Sequence, residues 1–143
     1  MTVASILKQK PDRLISVKDS DSLADVAAIL TRENIGAVPV LAGSGEMVGI
    51  VSERDIVRQI AREGAGVLGR TVSTLMTTSV VCCSPEDSVA STMALMTQRR
   101  FRHLPVRSNG RIIGMISIGD VVKRRVEDAE REAESLRDYI VRG

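Results

Sequence analysis

The chain contains one sequence pattern twice. Shifting the sequence on itself by 66 positions lays DSLADVAAILTRENIGAVPV over DSVASTMALMTQRRFRHLPV. One residue is then lost, so that GIVSERD, from Gly49, corresponds to GMISIGD, from Gly114, at an offset of 65. The loss falls between AGSGE and SNGR, where a hairpin loop tolerates a change in length. This duplication restricts the fold to an arrangement of two similar units.

Each copy predicts the same order of elements. The short apolar runs LISV and VVCC favour a first strand, and Ser22 or Ser88 then begins a helix with apolar residues at spacings of three and four. AVPVL and MVGIVS, like HLPVR and RIIGMIS, are apolar runs joined by turns that contain glycine, which is typical of hairpins. A second helical pattern follows in both copies. The predicted unit is therefore βαββα, written twice.

Elements of this kind each have one apolar side to bury, so we expect the two copies to pack through their sheets as a pseudo-twofold pair. The predicted fold class is α/β, of the mixed α+β kind. We expect a first unit at residues 1–68, a second at 69–126 and a C-terminal helical tail at 127–143. The segments VASIL and VSTLM predict similar short helical stretches before the first strand of each unit.

The repeated unit, the strands that carry Pro-Val and the two corners with the spacing Gly-x-x-Ser-x-x-Asp resemble a tandem pair of CBS domains, the Bateman module. The resemblance extends from residue 1 to about residue 126. It implies a stand-alone, bacterial-type regulatory protein that binds adenine nucleotides in clefts between two CBS units. AMP is the first candidate, with NAD(H) and ATP as related ones.

Ser52 and Asp55, like Ser117 and Asp120, lie three residues apart at the start of a predicted helix. One interpretation is a simple cap for free backbone N–H groups. The other is a ligand site, since a helix start favours an anion and a carboxylate can accept both hydroxyls of a vicinal diol. In the family that the chain resembles, the aspartate binds ribose, the Ser or Thr lies near ribose and phosphate, and the partner unit holds adenine.

Carried onto this sequence, the resemblance implies two clefts. The first combines Ser52, Arg54, Asp55, Val80, Arg102 and His103. The second combines Leu14, Gly36, Ala37, Ser117, Gly119 and Asp120. We expect the first to hold the phosphate of AMP, because two arginines can donate charge-assisted hydrogen bonds there. The small residues of the second favour a bulkier adenosyl ligand such as NAD(H), and its candidate phosphate contacts are Lys10, Arg13 and Lys123.

His103, the only histidine, has a second interpretation as a half-buried strand residue. One Phe and one Tyr are the only aromatic residues, so adenine would be held by aliphatic contacts and backbone amides. This predicts dissociation constants on the order of micromolar to millimolar.

Composition argues against other classes of function. The net charge of +2, from 20 basic and 18 acidic residues, is not that of a general nucleic-acid binder, and RRFRH and KRR lack an aromatic platform. No base–nucleophile pair or metal-ligand spacing is recognisable, so we expect no enzyme and no metal, and we expect Cys82 and Cys83 to be buried, reduced thiols. No apolar run approaches the roughly 20 residues of a membrane span, and the start is too polar for a secretory signal. We therefore expect a cytoplasmic protein.

The C-terminal segment carries a heptad pattern. Its apolar residues alternate at steps of four and three: Val122, Val126, Ala129, Ala133, Leu136 and Ile140. This pattern predicts packing on a second chain, and with the family resemblance it favours a homodimer. The alternative is a solvated helical extension docked on its own domain.

Two hypotheses for the function follow. The first is an adenine-nucleotide sensor that transmits a conformational change to an unidentified effector protein. The alternative is a ligand-free CBS dimerisation scaffold, against which the presence of both aspartates argues.

Overall fold

The computed structural model describes residues 1–11 and 13–142. Gly143, the end of the predicted tail, and Asp12, in the predicted first unit, lie outside the described residues. The helices and strands follow one another in this order: α1 (Val3–Lys8), β1 (Val17–Lys18), α2 (Leu23–Glu33), β2 (Ala37–Leu41), β3 (Met47–Ser52), α3 (Glu53–Glu63), α4 (Val89–Arg99), β4 (His103–Ser108), β5 (Arg111–Ser117) and α5 (Ile118–Arg142). Short 3₁₀ helices cover Ala65–Gly69 and Val72–Thr74. The mixed α/β class is as predicted.

The strands form two small sheets. In the first, β1 runs parallel to β2, with Val17 opposite Val40, and β2 runs antiparallel to β3, with Val38 opposite Val51. The second is the hairpin of β4 and β5. Both predicted hairpins are therefore present.

The predicted first strands are the least accurate part of the interpretation. LISV contributes only Val17 to a strand of two residues, and VVCC forms no strand, although Cys83 makes a single β-bridge. An apolar run indicates burial, but a strand also needs a neighbour that accepts and donates its backbone hydrogen bonds. The prediction of a strand at VVCC was wrong, because only Cys83 of this run takes part in a β-bridge.

The first long helix of each copy begins and ends alike. Ser22 Oγ accepts a hydrogen bond from the backbone N–H of Asp25 at 3.1 Å, and Ser88 Oγ accepts one from Ser91 at 3.0 Å. Each helix then stops at a residue in the left-handed conformation, Asn34 in α2 and Arg100 in α4. These caps confirm the helix starts that the sequence predicts at Ser22 and Ser88.

The chain divides into two compact units that combine separate segments. Unit A consists of Arg13–Cys82 and Pro105–Met115, and unit B consists of Met1–Asp12, Cys83–Leu104 and Ile116–Gly143. The limits at residues 68 and 126 stay predictions for the extent of the two repeats.

Unit A is built on an aliphatic core. Its buried members come from β1 to β3, from α2 and α3, and from the 3₁₀ helices that follow: Val17, Leu23, Val26, Leu30, Val38, Val40, Val51, Ile56, Val67 and Val72. The segment around Val72 is held to the start of α2 by its N–H, which donates to the Asp21 carbonyl at 2.8 Å. VSTLM is thus helical as predicted, but as a 3₁₀ turn.

Unit B repeats this contact with α1. The N–H of Val3 donates to the Asp87 carbonyl at 2.9 Å, and the N–H of Val89 donates to the Met1 carbonyl at 3.1 Å. The first residues of the chain therefore pack on the start of α4, in the second copy of the repeat. The buried side chains of this unit include Val3, Ile6, Val89, Met96, Leu104, Ile116 and Val121.

Gly49, the first residue of the first corner motif, lies in close contact with Met76 and Thr77. The N–H groups of Ile50 and Thr77 each donate to the other residue's carbonyl at 2.9 Å, so β3 and residue 77 are in direct backbone contact. A Cβ at Gly49 would lie 2.6 Å from Met76 Sδ and 2.8 Å from the Thr77 carbonyl oxygen. Only glycine fits here without a shift of the backbone.

We expect Gly49→Ala to lower the free energy of unfolding by about 1–3 kcal/mol, the usual effect of overpacking. Gly43→Ala is the matched control, because a Cβ there meets nothing within 4 Å. Urea denaturation of both variants measures the difference. Equal stability of the two variants would contradict the close packing at Gly49.

Candidate functional site

The first candidate site is the corner of unit A where β3 ends at Ser52 and α3 begins. The backbone N–H of Asp55 donates to Ser52 Oγ at 3.2 Å, and the backbone N–H of Ser52 donates to Asp55 Oδ2 at 2.9 Å. The two side chains thus satisfy each other's backbone donors, which is the capping-box arrangement. The capping interpretation of Ser52 and Asp55 is correct at this corner, and it uses one oxygen of the carboxylate.

The corner of unit B has the same construction where β5 continues into α5. The N–H of Asp120 donates to Ser117 Oγ at 3.1 Å, and the N–H of Ser117 donates to Asp120 Oδ2 at 2.8 Å. The two motifs that correspond in sequence therefore correspond in hydrogen bonding. Both carboxylates are held at the first turn of a helix, where the free N–H groups favour negative charge.

Each corner is tied to the residue that precedes the second strand of its own copy. The N–H of Glu53 donates to the Gly36 carbonyl at 2.9 Å, and the N–H of Ile118 donates to the Arg102 carbonyl at 2.8 Å. Ala37 also lies opposite Ser52 in the β2–β3 register. The structure thus joins Gly36 and Ala37 to the Ser52 corner, and Arg102 to the Ser117 corner. Sequence reasoning did not predict these local contacts.

The two carboxylates differ in their surroundings. Lys10, just beyond α1 in unit B, places its Nζ 2.8 Å from Asp120 Oδ2, and the side chains are 35% and 26% exposed. Burial raises the pKa of Asp120, but hydrogen bonds from Lys10 and Ser117 and the Lys10 charge outweigh it, so that this pKa lies below its usual range. Asp120 is therefore a carboxylate with its own counterion.

Asp55 has no such counterion within residues 1–11 and 13–142, and its Oδ1 accepts no hydrogen bond from them. Arg54, beside it, is exposed, whereas the corresponding residue of the other corner, Gly119, has no side chain. The unit A corner therefore has a half-buried carboxylate with an available oxygen and a neighbouring exposed cation.

The remaining predicted site residues are half-buried or exposed in their units. In unit A, Leu14 and Val80 are half-buried. In unit B, His103 is half-buried at the start of β4 and Arg102 before it is exposed. Of the candidate phosphate contacts, Arg13 pairs with Glu33 at 2.6 Å and Lys10 with Asp120. The two complete sets of cleft residues stay predictions.

Metal sites, membrane spans and thiols can each be checked in the part of the chain that the structure describes. Residues 1–11 and 13–142 contain no cluster of three His, Cys, Asp or Glu side chains that could hold a metal ion. In the same residues no helix is both long and apolar enough to cross a bilayer. Neither cysteine forms a disulfide with another described residue; Cys83 is buried as predicted, whereas Cys82 is half-buried. Burial raises the pKa of the Cys82 thiol, although Arg107 opposes the shift.

Comparisons with known proteins agree with the duplicated fold. The CBS domain family matches residues 4–62 and 72–127. CBSX3, a mitochondrial CBS domain-containing protein of Arabidopsis thaliana, is 35% identical over 127 residues, which are 86% of this chain and 62% of that protein. The chain thus spans less than two thirds of this relative.

Two solved structures are also similar. A CBS-domain protein from Agrobacterium tumefaciens has a TM-score of 0.83 and 42% identity, covering 87% of this chain and 92% of its own. CBSX2, solved in complex with AMP, has a TM-score of 0.74 and 26% identity, covering 90% of this chain and 98% of its own.

The Lys10–Asp120 pair predicts a pH-dependent contribution to stability. Because the pKa of Asp120 is lowered in the folded state, this contribution is present above the unfolded value of about 4 and is lost as pH falls through the folded value. We expect Lys10→Met to lower the free energy of unfolding at pH 7 and to have less effect near pH 2. Urea denaturation at the two pH values measures this difference.

Lys8→Met, at the exposed lysine that ends α1 two residues before Lys10, is the matched control and should show no such dependence. A Lys10→Met effect that is unchanged at low pH would contradict the ion pair.

Proposed function

Because the chain belongs to the CBS-domain family, we propose that it is a regulatory module that binds AMP or a related adenine nucleotide and passes the resulting change to an effector protein. The observation that carries this proposal is the repetition of one carboxylate corner, in which Asp55 and Asp120 are fixed alike by backbone hydrogen bonds. The AMP complex of CBSX2, a protein of similar fold, supports the choice of ligand.

The corner chemistry suits a nucleoside phosphate. The capping hydrogen bonds use Oδ2 of Asp55, so Oδ1 can accept a hydrogen bond from a ribose hydroxyl. The free N–H groups at the start of α3 and the exposed guanidinium of Arg54 favour a phosphate nearby. We assign ribose to Asp55 and phosphate to Arg54. The family resemblance adds Arg102 as a contact of the phosphate, and Val80 and His103 as contacts of adenine.

The second corner differs in its charge. Lys10 already neutralises Asp120, and Gly119 supplies no cation, so a ligand there has to compete with an ion pair for the carboxylate. We propose that AMP binds first at the Asp55 corner. For the second set of residues we propose a larger ligand such as NAD(H), whose phosphate pairs with Lys10 in place of the aspartate. This set consists of Leu14, Gly36, Ala37, Ser117, Gly119 and Asp120.

The proposal includes regulation without catalysis, with a separate effector protein as the recipient of the change and a cytoplasmic location. The alternative of a ligand-free dimerisation scaffold predicts no nucleotide binding at either corner. A titration of the protein with AMP therefore distinguishes the two hypotheses.

We expect Asp55→Ala to weaken AMP binding about 10-fold to 150-fold, because the loss of a charged hydrogen-bond acceptor costs roughly 1.5–3 kcal/mol. Asp120→Ala should have a smaller effect, since its carboxylate is already paired. Isothermal titration calorimetry with AMP, and then with NADH and ATP, measures both. Glu53→Ala, at an exposed carboxylate in the same helical turn, is the control. AMP affinity that is unchanged in the double aspartate variant would reject the ribose assignment.

We also propose that the protein is a homodimer through α5. The apolar residues of the predicted heptad are open to solvent in the single chain: Val122 is 42% exposed, Val126 51%, Leu136 58% and Ile140 75%. This exposure favours packing on a second chain over docking on the same chain.

For the full chain we expect light scattering to give twice the mass of one chain. Deletion of residues 127–143 should shift it toward the monomer, because the deletion removes four of the six heptad residues. A monomeric mass for the full chain, with no change on deletion, would reject the homodimer.

A further inference from the structure

Helix α5 has two sides with different surroundings. Val121 and Arg124 are buried, and Asp128 is half-buried and pairs with Arg124 at 3.4 Å. Arg124 Nη2 also lies 2.9 Å from Met1 Sδ, so this side of the helix faces the body of unit B. The apolar heptad residues lie on the other side, because they fall at positions a and d while Val121, Arg124 and Asp128 fall at c and f. A second helix can therefore pack on the heptad side without displacing the body.

The residues at the apolar positions favour a two-stranded arrangement. Val126 and Ile140 are β-branched residues at position a, and Leu136 is at position d, which is the combination typical of parallel dimers. Val122, at the first d position, departs from this combination because it is β-branched. Ala133 and Ala129 between them allow the two helices to approach closely. The family match ends at residue 127, so most of this heptad pattern lies beyond the matched region.

The flanking charges distinguish parallel from antiparallel pairing. In a parallel pair, a residue at position g lies opposite the residue at position e five places further along the second helix. Arg125 then lies opposite Glu130, and Glu132 lies opposite Arg137, so each of these contacts joins opposite charges. The twofold axis makes each contact twice.

Antiparallel pairing with the same apolar layers brings like charges together. Position e then faces e and position g faces g, which brings Glu130 against Glu130 and Glu132 against Glu132 of the second helix. Lys123 would also face Arg137. Like charges in these positions are destabilising.

None of the four charged residues is held in an ion pair in the part of the chain that the structure describes. Neither Glu130 nor Glu132 has a basic residue three or four places away on the helix. Among the ion pairs of residues 1–11 and 13–142, none involves Arg125, Glu130, Glu132 or Arg137. Their side chains are exposed and remain available to a second helix.

We infer that α5 forms a parallel, in-register coiled coil with α5 of a second copy of this chain, fixed in orientation by contacts of Arg125 with Glu130 and of Glu132 with Arg137. This inference rests on the proposed homodimer. It adds the direction of the two helices and the residues that determine it.

A charge reversal in the full-length protein tests the orientation. We expect Arg125→Glu to raise the dimer dissociation constant roughly tenfold, because two attractive contacts become repulsive. Adding Glu130→Arg should restore the dimer to within about threefold of the original, since the contact is then attractive with its signs exchanged. Arg131→Glu changes the net charge equally at an exposed position f, on the side of α5 away from the second helix, and is the control. Analytical ultracentrifugation measures all four proteins.

In the antiparallel arrangement residue 125 faces the uncharged Tyr139, so Arg125→Glu would leave the dissociation constant unchanged. That result, or a double variant as weak as Arg125→Glu alone, would overturn the inference.

Disulfide cross-linking gives an independent readout. In a Cys82→Ala/Cys83→Ala background, Ile140→Cys should form a covalent dimer under mild oxidation, because parallel helices bring the two positions within the roughly 7 Å that a disulfide spans. Antiparallel helices place residue 140 beside residue 122 and separate the two copies of residue 140 by about 27 Å. Val141→Cys, one residue outside the seam, is the control.

Failure of this inference and failure of the other proposals give different results. A dimer without a cross-link at residue 140 rejects the parallel orientation alone. A protein that remains monomeric rejects the homodimer and the orientation together. AMP titration of the monomer tests the nucleotide proposal separately.

Discussion

The reciprocal hydrogen bonds between Ser and Asp at the two corners are the interaction on which the candidate site depends. Each corner must turn a strand into a helix at once, and each Ser-x-x-Asp pair satisfies two backbone N–H groups that the turn leaves free. A helix cap of this kind contributes about 1 kcal/mol. It also fixes a carboxylate at a positive helix end, so that one arrangement serves both the fold and the proposed ligand.

The duplication makes the corners alike, and single residues outside the motif make them different. Lys10 comes from a segment more than a hundred positions before Asp120, yet it supplies that carboxylate with a counterion. Arg54 and Gly119 occupy the same place in the two motifs, one with a cation and one without a side chain. A duplicated scaffold can in this way hold two sites of unequal charge while its backbone hydrogen bonds stay the same.

Most of the fold could be predicted from the sequence because its patterns are local. The caps at Ser22 and Ser88, both hairpins and the helix after each corner follow from spacing and turn residues. Local patterns could not show that VVCC forms no strand, since a strand depends on a neighbour that is distant in the chain. The same limit applies to the Lys10–Asp120 pair, and to the contact of Val3 with Asp87. For the candidate site, the corner residues were predicted, whereas the carbonyl contacts of Gly36 and Arg102 were not.

The docking of α1 on the second copy has a consequence for the order of folding. Val3 has its hydrogen-bond acceptor in Asp87, so α1 can dock only after a partner more than eighty residues further along the chain has been synthesised. At about 5–20 residues per second, that delay is several seconds. The formation of unit B brings α1 and α4 together and so closes the long stretch of chain between them. Closure of such a loop is slow compared with local helix formation. During this interval the apolar side chains of Val3 and Ile6 are available to a chaperone.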